Sequence, residues 1–200
     1  MDKVSYLIGR QIAGNLLQQG INVEVKKFFE GVEDGLNNKP LPFSNEEASK
    51  LLQDFERGMQ DKLQAQQKEF AEKNLQEGLE FLDSNKNEDG IEITESGIQY
   101  RILTEGSGDK PKATDTVETH YEGKLITGEV FDSSIERGES VSFPVGGVIK
   151  GWQEVLQLMT VGSRWQVFIP SHLAYGEQGS APKIGPNSVL EFEVELIKIV

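Results

Sequence analysis

Apolar positions along this chain follow two different periods, one in each half. From Ser5 to Gln19 they recur at Ile8, Ile12 and Leu16 with Leu17 beside them, a helical stripe that ends at Gly20. Gly9 and Ala13 lie four apart, a small-residue line along which another helix can approach closely. Val25, Phe28, Phe29, Val32 and Leu36 repeat the helical spacing and predict a second helix over 23–36, closed by Asn37, Asn38 and Pro40. A third helix carries a complete start signal: Ser44 as N-cap, Glu47 to close a capping box, and Phe43 placed to staple onto Ala48. No proline follows until Pro111, and the pattern runs to Ser84, which makes a helix of about 40 residues and about 60 Å. Its early face (Ala48, Leu51, Leu52, Phe55, Met59, Leu63) and its end (Leu75, Leu79, Leu82) are amphipathic. The middle, Gln64 to Asn74, is polar on nearly every side apart from Phe70, which reads as an arm spanning solvent.

After residue 97 the period falls to two. Ile98, Tyr100 and Ile102 alternate with Gln99 and Arg101; Val117, Thr119 and Tyr121 with Glu118 and His120; Trp165, Val167 and Ile169 with Arg164, Gln166 and Phe168. The last run is the cleanest, with Phe192, Val194 and Leu196 set against Glu191, Glu193 and Glu195. This is the alternation of an antiparallel sheet with one wet face. Val148, Ile149, Trp152, Val155, Leu156 and Met159 return to helical spacing. One short helix laid on a curved sheet of about five strands makes an α+β domain.

Composition sharpens the division. Residues 1–88 hold 7 of the 21 glycines and 2 of the 7 prolines; the β-patterned half holds the rest. The expected organisation is therefore a helical region over 1–43, a long helix over 44–84, a linker over 85–97 and a sheet domain over 98–200. Over residues 83–97, where the helix exits into the linker, Asp83, Asn85 and Asn87 imitate the first ligands of a calcium loop, but Glu88 and Thr94 stand where that loop needs Gly and Glu. Three helices, two of them short, bury Phe28, Phe29, Phe55 and the Gly9/Ala13 line poorly within one chain. Pairing of two copies through residues 1–60 solves this by symmetry; a compact monomeric cap is the alternative.

Charge and side-chain inventory then exclude whole classes of function. With 20 basic against 33 acidic residues, the net charge of −13 argues against a nucleic-acid or anionic-membrane partner. Without cysteine, and with only His120 and His172, there is little material for disulfides, thiolate catalysis, a metal centre or a His-based triad. Both histidines read as surface or strand residues. The first twenty residues lack the basic start and long apolar run of a leader, so the expected location is cytoplasmic, or periplasmic if a leader preceded Met1. Nucleophile elbows, phosphate loops and convincing carboxylate pairs are absent. What stands out are aromatic residues bounded by Gly and Pro: Tyr121, Phe131, Phe143, Trp152, Tyr175 and Phe192, of which Phe143, like Trp165, is read as core.

The segments carrying them are the ones with a family resemblance. Tyr121-Glu122-Gly123, Gly128 to Ser134 (GEVFDSS), Val148 to Trp152 (VIKGW), Ile169-Pro170, Leu173 to Gly176 (LAYG), Ile184 to Asn187 (IGPN) and Leu190 to Leu196 (LEFEVEL) resemble, in order and spacing, the FKBP-type peptidyl-prolyl cis-trans isomerases. The helical half resembles the dimerisation region of their two-domain bacterial Mip-like subgroup. The resemblance implies an isomerase of X-Pro bonds acting on peptides and folding proteins without cofactor, with dimer-dependent chaperone activity toward unfolded clients. Other readings are a holdase that binds Pro-containing segments without significant catalysis, and a dimeric adaptor.

By position, the resemblance implies Trp152 as the pocket floor and Tyr121, Phe131, Val141, Val148, Ile149 and Phe192 as its walls. Tyr175 would offer its hydroxyl and Ile149 its N–H to substrate carbonyls. Asp132 would face the amide at the rim, and Arg137 would pair with Asp132 or hold Tyr121. Ala174 and Ile184 complete the implied substrate contacts. Macrolide inhibitors are a further implied ligand class, although Val141 replaces an aromatic common in the family and makes that wall smaller.

Overall fold

The computed structural model describes residues 2–200. Its helices begin and end where the local chemistry directs. In α1 (Lys3–Gln18) the Asp2 carboxylate accepts from the Val4 N–H at 3.0 Å, and Gly20 turns the chain away at φ 66°. α2 spans Val25–Leu36. α3 runs unbroken over Asn45–Asn85, its first turn capped by Ser44, whose hydroxyl accepts from the Glu47 N–H at 3.1 Å.

The chain divides into two compact units inside that helix, 1–59 and 60–200. In the first unit no described side chain is buried: Ile8, Ile12, Phe29, Leu51, Leu52 and Phe55 all remain exposed. Amphipathic periodicity has formed helices there without forming a core.

The second unit is built on a seven-stranded antiparallel sheet ordered β1-β2-β6-β7-β3-β4, with β5 also paired to β3. The strands are β1 (Glu92–Ile93), β2 (Gln99–Thr104), β3 (Thr116–Leu125), β4 (Val130–Ser133), β5 (Val141–Pro144), β6 (Arg164–Ile169) and β7 (Leu190–Ile199). β3 is long enough to serve two partners on one edge: Thr116–Thr119 pair with β5, and Glu122–Lys124 with β4. Between β4 and β5 lies one helical turn, α4 (Ser134–Arg137); between β5 and β6 lies α5 (Lys150–Leu158). Trp152, Val155 and Leu156 of α5, followed by Met159, pack onto Val117, Ile169, Leu190 and Leu196 of the sheet. Gly151 allows this approach, because a Cβ there would lie 2.5 Å from Ile169. The fold is the α+β arrangement that the two periods predict.

The sheet has seven strands where about five are expected, and three further features depart from the sequence reading. The polar middle of α3 does not simply span solvent: Asn74 donates to the Pro186 carbonyl at 2.7 Å, and Asn187 donates to the Ala71 carbonyl at 3.2 Å. Polar side chains make this attachment, so a hydrophobic stripe does not reveal it. Residues 85–97 are not merely a linker, since they contribute β1 at the sheet edge. The sheet's outer face is also dry at Phe168, whose ring meets Phe81 of α3 at 5.5 Å, while buried Gln99 donates to the Leu82 carbonyl and accepts from Asn85, each at 2.8 Å. Gly78 permits that docking, as a Cβ there would come within 2.7 Å of Val189.

Candidate active site: an aromatic cup beside a carboxylate

At the start of α5 the indole of Trp152, 6% exposed, is met edge-on by three rings: Tyr121 at 5.4 Å, Phe192 at 5.3 Å and Phe143 at 5.7 Å between centroids. Phe131 stands edge-on to Phe192 at 5.6 Å. These rings come from β3, β4, β5, α5 and β7, so the cup exists only when the sheet is assembled. They surround an open cavity of about 360 Å³, completed by Asp132, Gly147, Val148, Ile149 and Tyr175. Gly123 makes the aromatic wall feasible. It pairs across the sheet with both Asp132 and Phe192, and a Cβ on it would sit 2.6 Å from the Phe131 ring and 2.7 Å from the Phe192 ring.

One side of the rim is polar. The Tyr121 hydroxyl donates to Asp132 at 2.5 Å and accepts from Arg137 at 3.1 Å; Arg137 also forms an ion pair with Asp132 and lies over the Tyr121 ring, 5.8 Å from its centroid. Burial pushes the Asp132 carboxyl up, but the hydrogen bonds from Tyr121 and Arg137 and the guanidinium charge outweigh it, leaving the group below the usual carboxylate value. Burial, together with the acceptor Asp132, pushes the Tyr121 phenol up despite the opposing Arg137. The rim therefore holds a carboxylate and a neutral phenol at neutral pH. Buried Ser134 braces it from behind, accepting from the Tyr121 N–H at 2.7 Å and donating to the Tyr121 carbonyl at 3.1 Å. His120 Nδ1 lies 3.2 Å from the same hydroxyl.

The opposite rim is held by backbone. Gln153 donates to the Val148 carbonyl at 2.7 Å and to the Gly146 carbonyl at 3.3 Å, fixing the loop that presents Val148 and Ile149. Ile149 is the N-cap of α5, and its N–H meets no backbone acceptor among the described residues. Tyr175, 40% exposed, stands at the mouth.

Of the residues singled out from sequence, Tyr121, Phe131, Asp132, Val148, Ile149, Trp152, Tyr175 and Phe192 line the cavity together. Arg137 sits behind the rim and touches both Asp132 and Tyr121. Val141, Ala174 and Ile184 are not among the lining residues. Val141 shares its strand face with Phe143, whose longer side chain reaches Trp152 instead. Ala174 packs half-buried against the core, and Ile184, only 7% exposed, is turned into it by the paired Ser180–Ile184 bridge. Phe143, read as core, belongs to the wall, because β5 brings its ring to 5.7 Å from Trp152. Gly147, Gly123 and Gln153 had no sequence signal beyond lying inside or beside the aromatic blocks.

No group of three or more His, Asp or Glu able to hold a metal occurs among the described residues, and the cup contains no nucleophile–base pair. What it offers is an apolar slot, a carboxylate and unshared hydrogen-bond donors.

The comparisons with known proteins cover the whole chain. Residues 108–197 match the family model described as "FKBP-type peptidyl-prolyl cis-trans isomerase", and residues 1–102 match "Domain amino terminal to FKBP-type peptidyl-prolyl isomerase". The "FKBP-type 22 kDa peptidyl-prolyl cis-trans isomerase" of Escherichia coli is 40% identical over 199 residues, 99% of this chain and 95% of that protein. The "Outer membrane protein MIP" of Legionella longbeachae is 40% identical over 198 residues, 99% of this chain and 85% of that one. Among solved structures, that of FkpA from Escherichia coli superposes with a TM-score of 0.84 at 36% identity, covering 98% of this chain and 92% of that chain.

Proposed function

The chain belongs to the FKBP-type peptidyl-prolyl cis-trans isomerases, and from that premise we propose how its aromatic cup turns an X-Pro bond. Peptide resonance opposes rotation by about 18–20 kcal/mol and places negative charge on the carbonyl oxygen. An amide moved into a slot floored by Trp152 and walled by Phe131, Phe143 and Phe192 loses the water that solvates this charge-separated planar form. The twisted amide carries less of that charge, so an apolar cup shaped around it stabilises the transition state selectively. Asp132, ionised at the rim and facing the carbonyl side, further disfavours negative charge on that oxygen. Arg137 and the Tyr121 hydroxyl hold the carboxylate in place. The Ile149 N–H and Tyr175 hydroxyl orient the flanking substrate carbonyls. Every step is non-covalent and needs no cofactor.

The observation that carries this reading is the Trp152 indole ringed by three aromatic edges beside a carboxylate held by Tyr121 and Arg137. The test is refolding of a protein limited by a prolyl step, together with isomerisation of short Pro-containing peptides. The intact chain accelerates both; acceleration of neither overturns the reading.

The finer assignment is a homodimer with chaperone activity. Its support is the first unit, where helices with strongly apolar faces leave Ile8, Phe29, Leu51 and Phe55 in water. Two copies pairing through residues 1–60 cover those faces, and two linked sites raise the effective concentration for an unfolded client. Sedimentation of the intact 22.3 kDa chain gives twice that mass; a monomer at all concentrations overturns the dimer. Suppression of client aggregation tests the chaperone role separately. A macrolide finds a wall supplied by Phe143 where Val141 is short. As to compartment, among the described residues no helix is long and apolar enough to cross a membrane, while the name of the Legionella relative places that protein at the outer membrane. A cytoplasmic location finds no support among these relatives.

A further inference from the structure

The long helix and the mouth of the aromatic cup are joined through one loop. Residues 176–187 leave the cup at Tyr175 and return to β7, and the base of this loop is closed by the Asn187 N–H, which donates to the Gly176 carbonyl at 2.8 Å. Gly176 directly follows Tyr175, so this bond governs where the chain carrying Tyr175 leaves the cavity. Asn187 sits in the left-handed region at φ 55°, which asparagine adopts more readily than other non-glycine residues. α3 holds this residue and its neighbour from outside the loop. The Asn187 amide donates to the Ala71 carbonyl at 3.2 Å, and the Asn74 amide donates to the neighbouring Pro186 carbonyl at 2.7 Å. The two elements are also matched in shape: a Cβ on Gly185 would lie 2.7 Å from the Phe70 ring and 3.0 Å from the Asn74 amide nitrogen. On its other side the loop is tied to the cup wall, where Lys183 donates to the Phe131 carbonyl at 2.7 Å.

We infer that Asn187 and Asn74 are positioning residues for catalysis: they clamp the 176–187 loop to α3 and thereby set Tyr175 at the mouth of the proline cup. The second half of the long helix is thus part of the catalytic apparatus. This inference rests on the isomerase reading and adds to it a pair of residues that do not line the cavity. Physically, α3 is the rigid side of the clamp. A loop with glycines at Gly176, Gly179 and Gly185 gains a fixed reference from two side-chain amides donating to backbone carbonyls on opposite sides of the contact. Substrate binding then does not have to order the loop, which keeps the cost of binding low.

The test uses the full chain and two substitutions that spare the fold. Asn74→Asp has the same shape but cannot donate, and Asn187→Gly retains access to the left-handed backbone while losing the amide. Each raises KM for Pro-containing tetrapeptides about threefold to tenfold, the size expected for one lost hydrogen bond. The value of kcat stays within about twofold, because the Trp152 floor and the Asp132 rim are untouched. Asn74→Gln, which keeps a donor, restores part of the loss. The decisive comparison repeats both substitutions in a Tyr175→Ala background. If the clamp acts through Tyr175 the further effect there is small, whereas a general loosening lowers activity by the same factor in both backgrounds. Equal factors, or unchanged KM in variants with native near-UV circular dichroism, overturn the inference. An inactive wild-type chain removes the isomerase reading and this inference with it, and is distinguished because it shows before any variant is compared.

Discussion

The Tyr121 hydroxyl donates to the Asp132 carboxylate at 2.5 Å, joining the middle of β3 to the antiparallel neighbour β4. The same hydroxyl accepts from Arg137, so one phenol holds both the rim carboxylate and the guanidinium behind it. With Asp132 43% exposed and Arg137 48% exposed, water screens their attraction, and the value of the arrangement lies in orientation more than in stability.

Asp132→Asn is therefore expected to lower kcat/KM about tenfold while changing the unfolding midpoint little, since a partly exposed pair contributes at most about 1 kcal/mol. The pH profile follows from the sign of the shift. Asp132 lies below its ordinary value of 3.8 in the folded chain, so its contribution to stability is complete above that value and is lost as pH falls through the lower folded one. Activity attributable to the carboxylate should persist down to the ordinary carboxylate range, and titration of the Asp132 side chain by carbon NMR checks this directly.

Gly123→Ala places a methyl group where the Phe131 and Phe192 rings already stand, 2.6 Å and 2.7 Å from the new carbon. Both rings must shift toward the cavity, at an overpacking cost of about 1–3 kcal/mol. Affinity for proline peptides should fall by more than the loss of stability explains. Peptide titration followed by Trp152 fluorescence, alongside thermal unfolding, separates the two.

Leu156→Ala removes a fully buried side chain between α5 and the sheet. It should cost about 2–5 kcal/mol of stability, visible as a lower urea midpoint for the sheet domain, with kcat/KM on peptides nearly unchanged while the chain stays folded.

Tyr100 lies face to face with Trp165, 4.5 Å between centroids, and donates to Glu92 at 2.8 Å. Burial, then this carboxylate acceptor, pushes its phenol up from 10.0 to about 12. Because the folded value is the higher one, stability is fully present below pH 10 and falls as pH rises toward 12. Urea midpoints measured across that interval should decline, and Tyr100→Phe should flatten the decline; the Tyr121 phenol, also pushed up, adds to the remainder.

Much of this was legible in the order of residues. Period-two alternation marks β2, β3, β6 and β7 because each has one face toward α5 and one toward water over most of its length. Ser44 and Glu47 mark the start of α3 because capping is chemistry within a single turn. The aromatic blocks carry the family resemblance because Tyr121 and Trp152 lie beside glycines whose missing side chains the packing requires, and Phe192 lies in a strand of strict alternation. The inability of the first 59 residues to bury their apolar faces was likewise visible from their number and length.

Other features depend on pairs that no local pattern reports. Whether Phe143 or Val141 reaches Trp152 depends on how β5 registers against β3. Gly123 resembles any strand glycine until rings from the two strands flanking it converge on it, and Gly78 any helical glycine until Val189 arrives. Phe168 alternates as an outward residue and becomes buried only because Phe81 lies across it. A chain by itself determines which face of each element is apolar and where each element can begin, since those depend on neighbours a few residues away. Tertiary structure alone decides which polar middle finds a carbonyl, which glycine admits a ring and which aromatic closes the cup, since those are distances between atoms on different elements, set by how the elements pack.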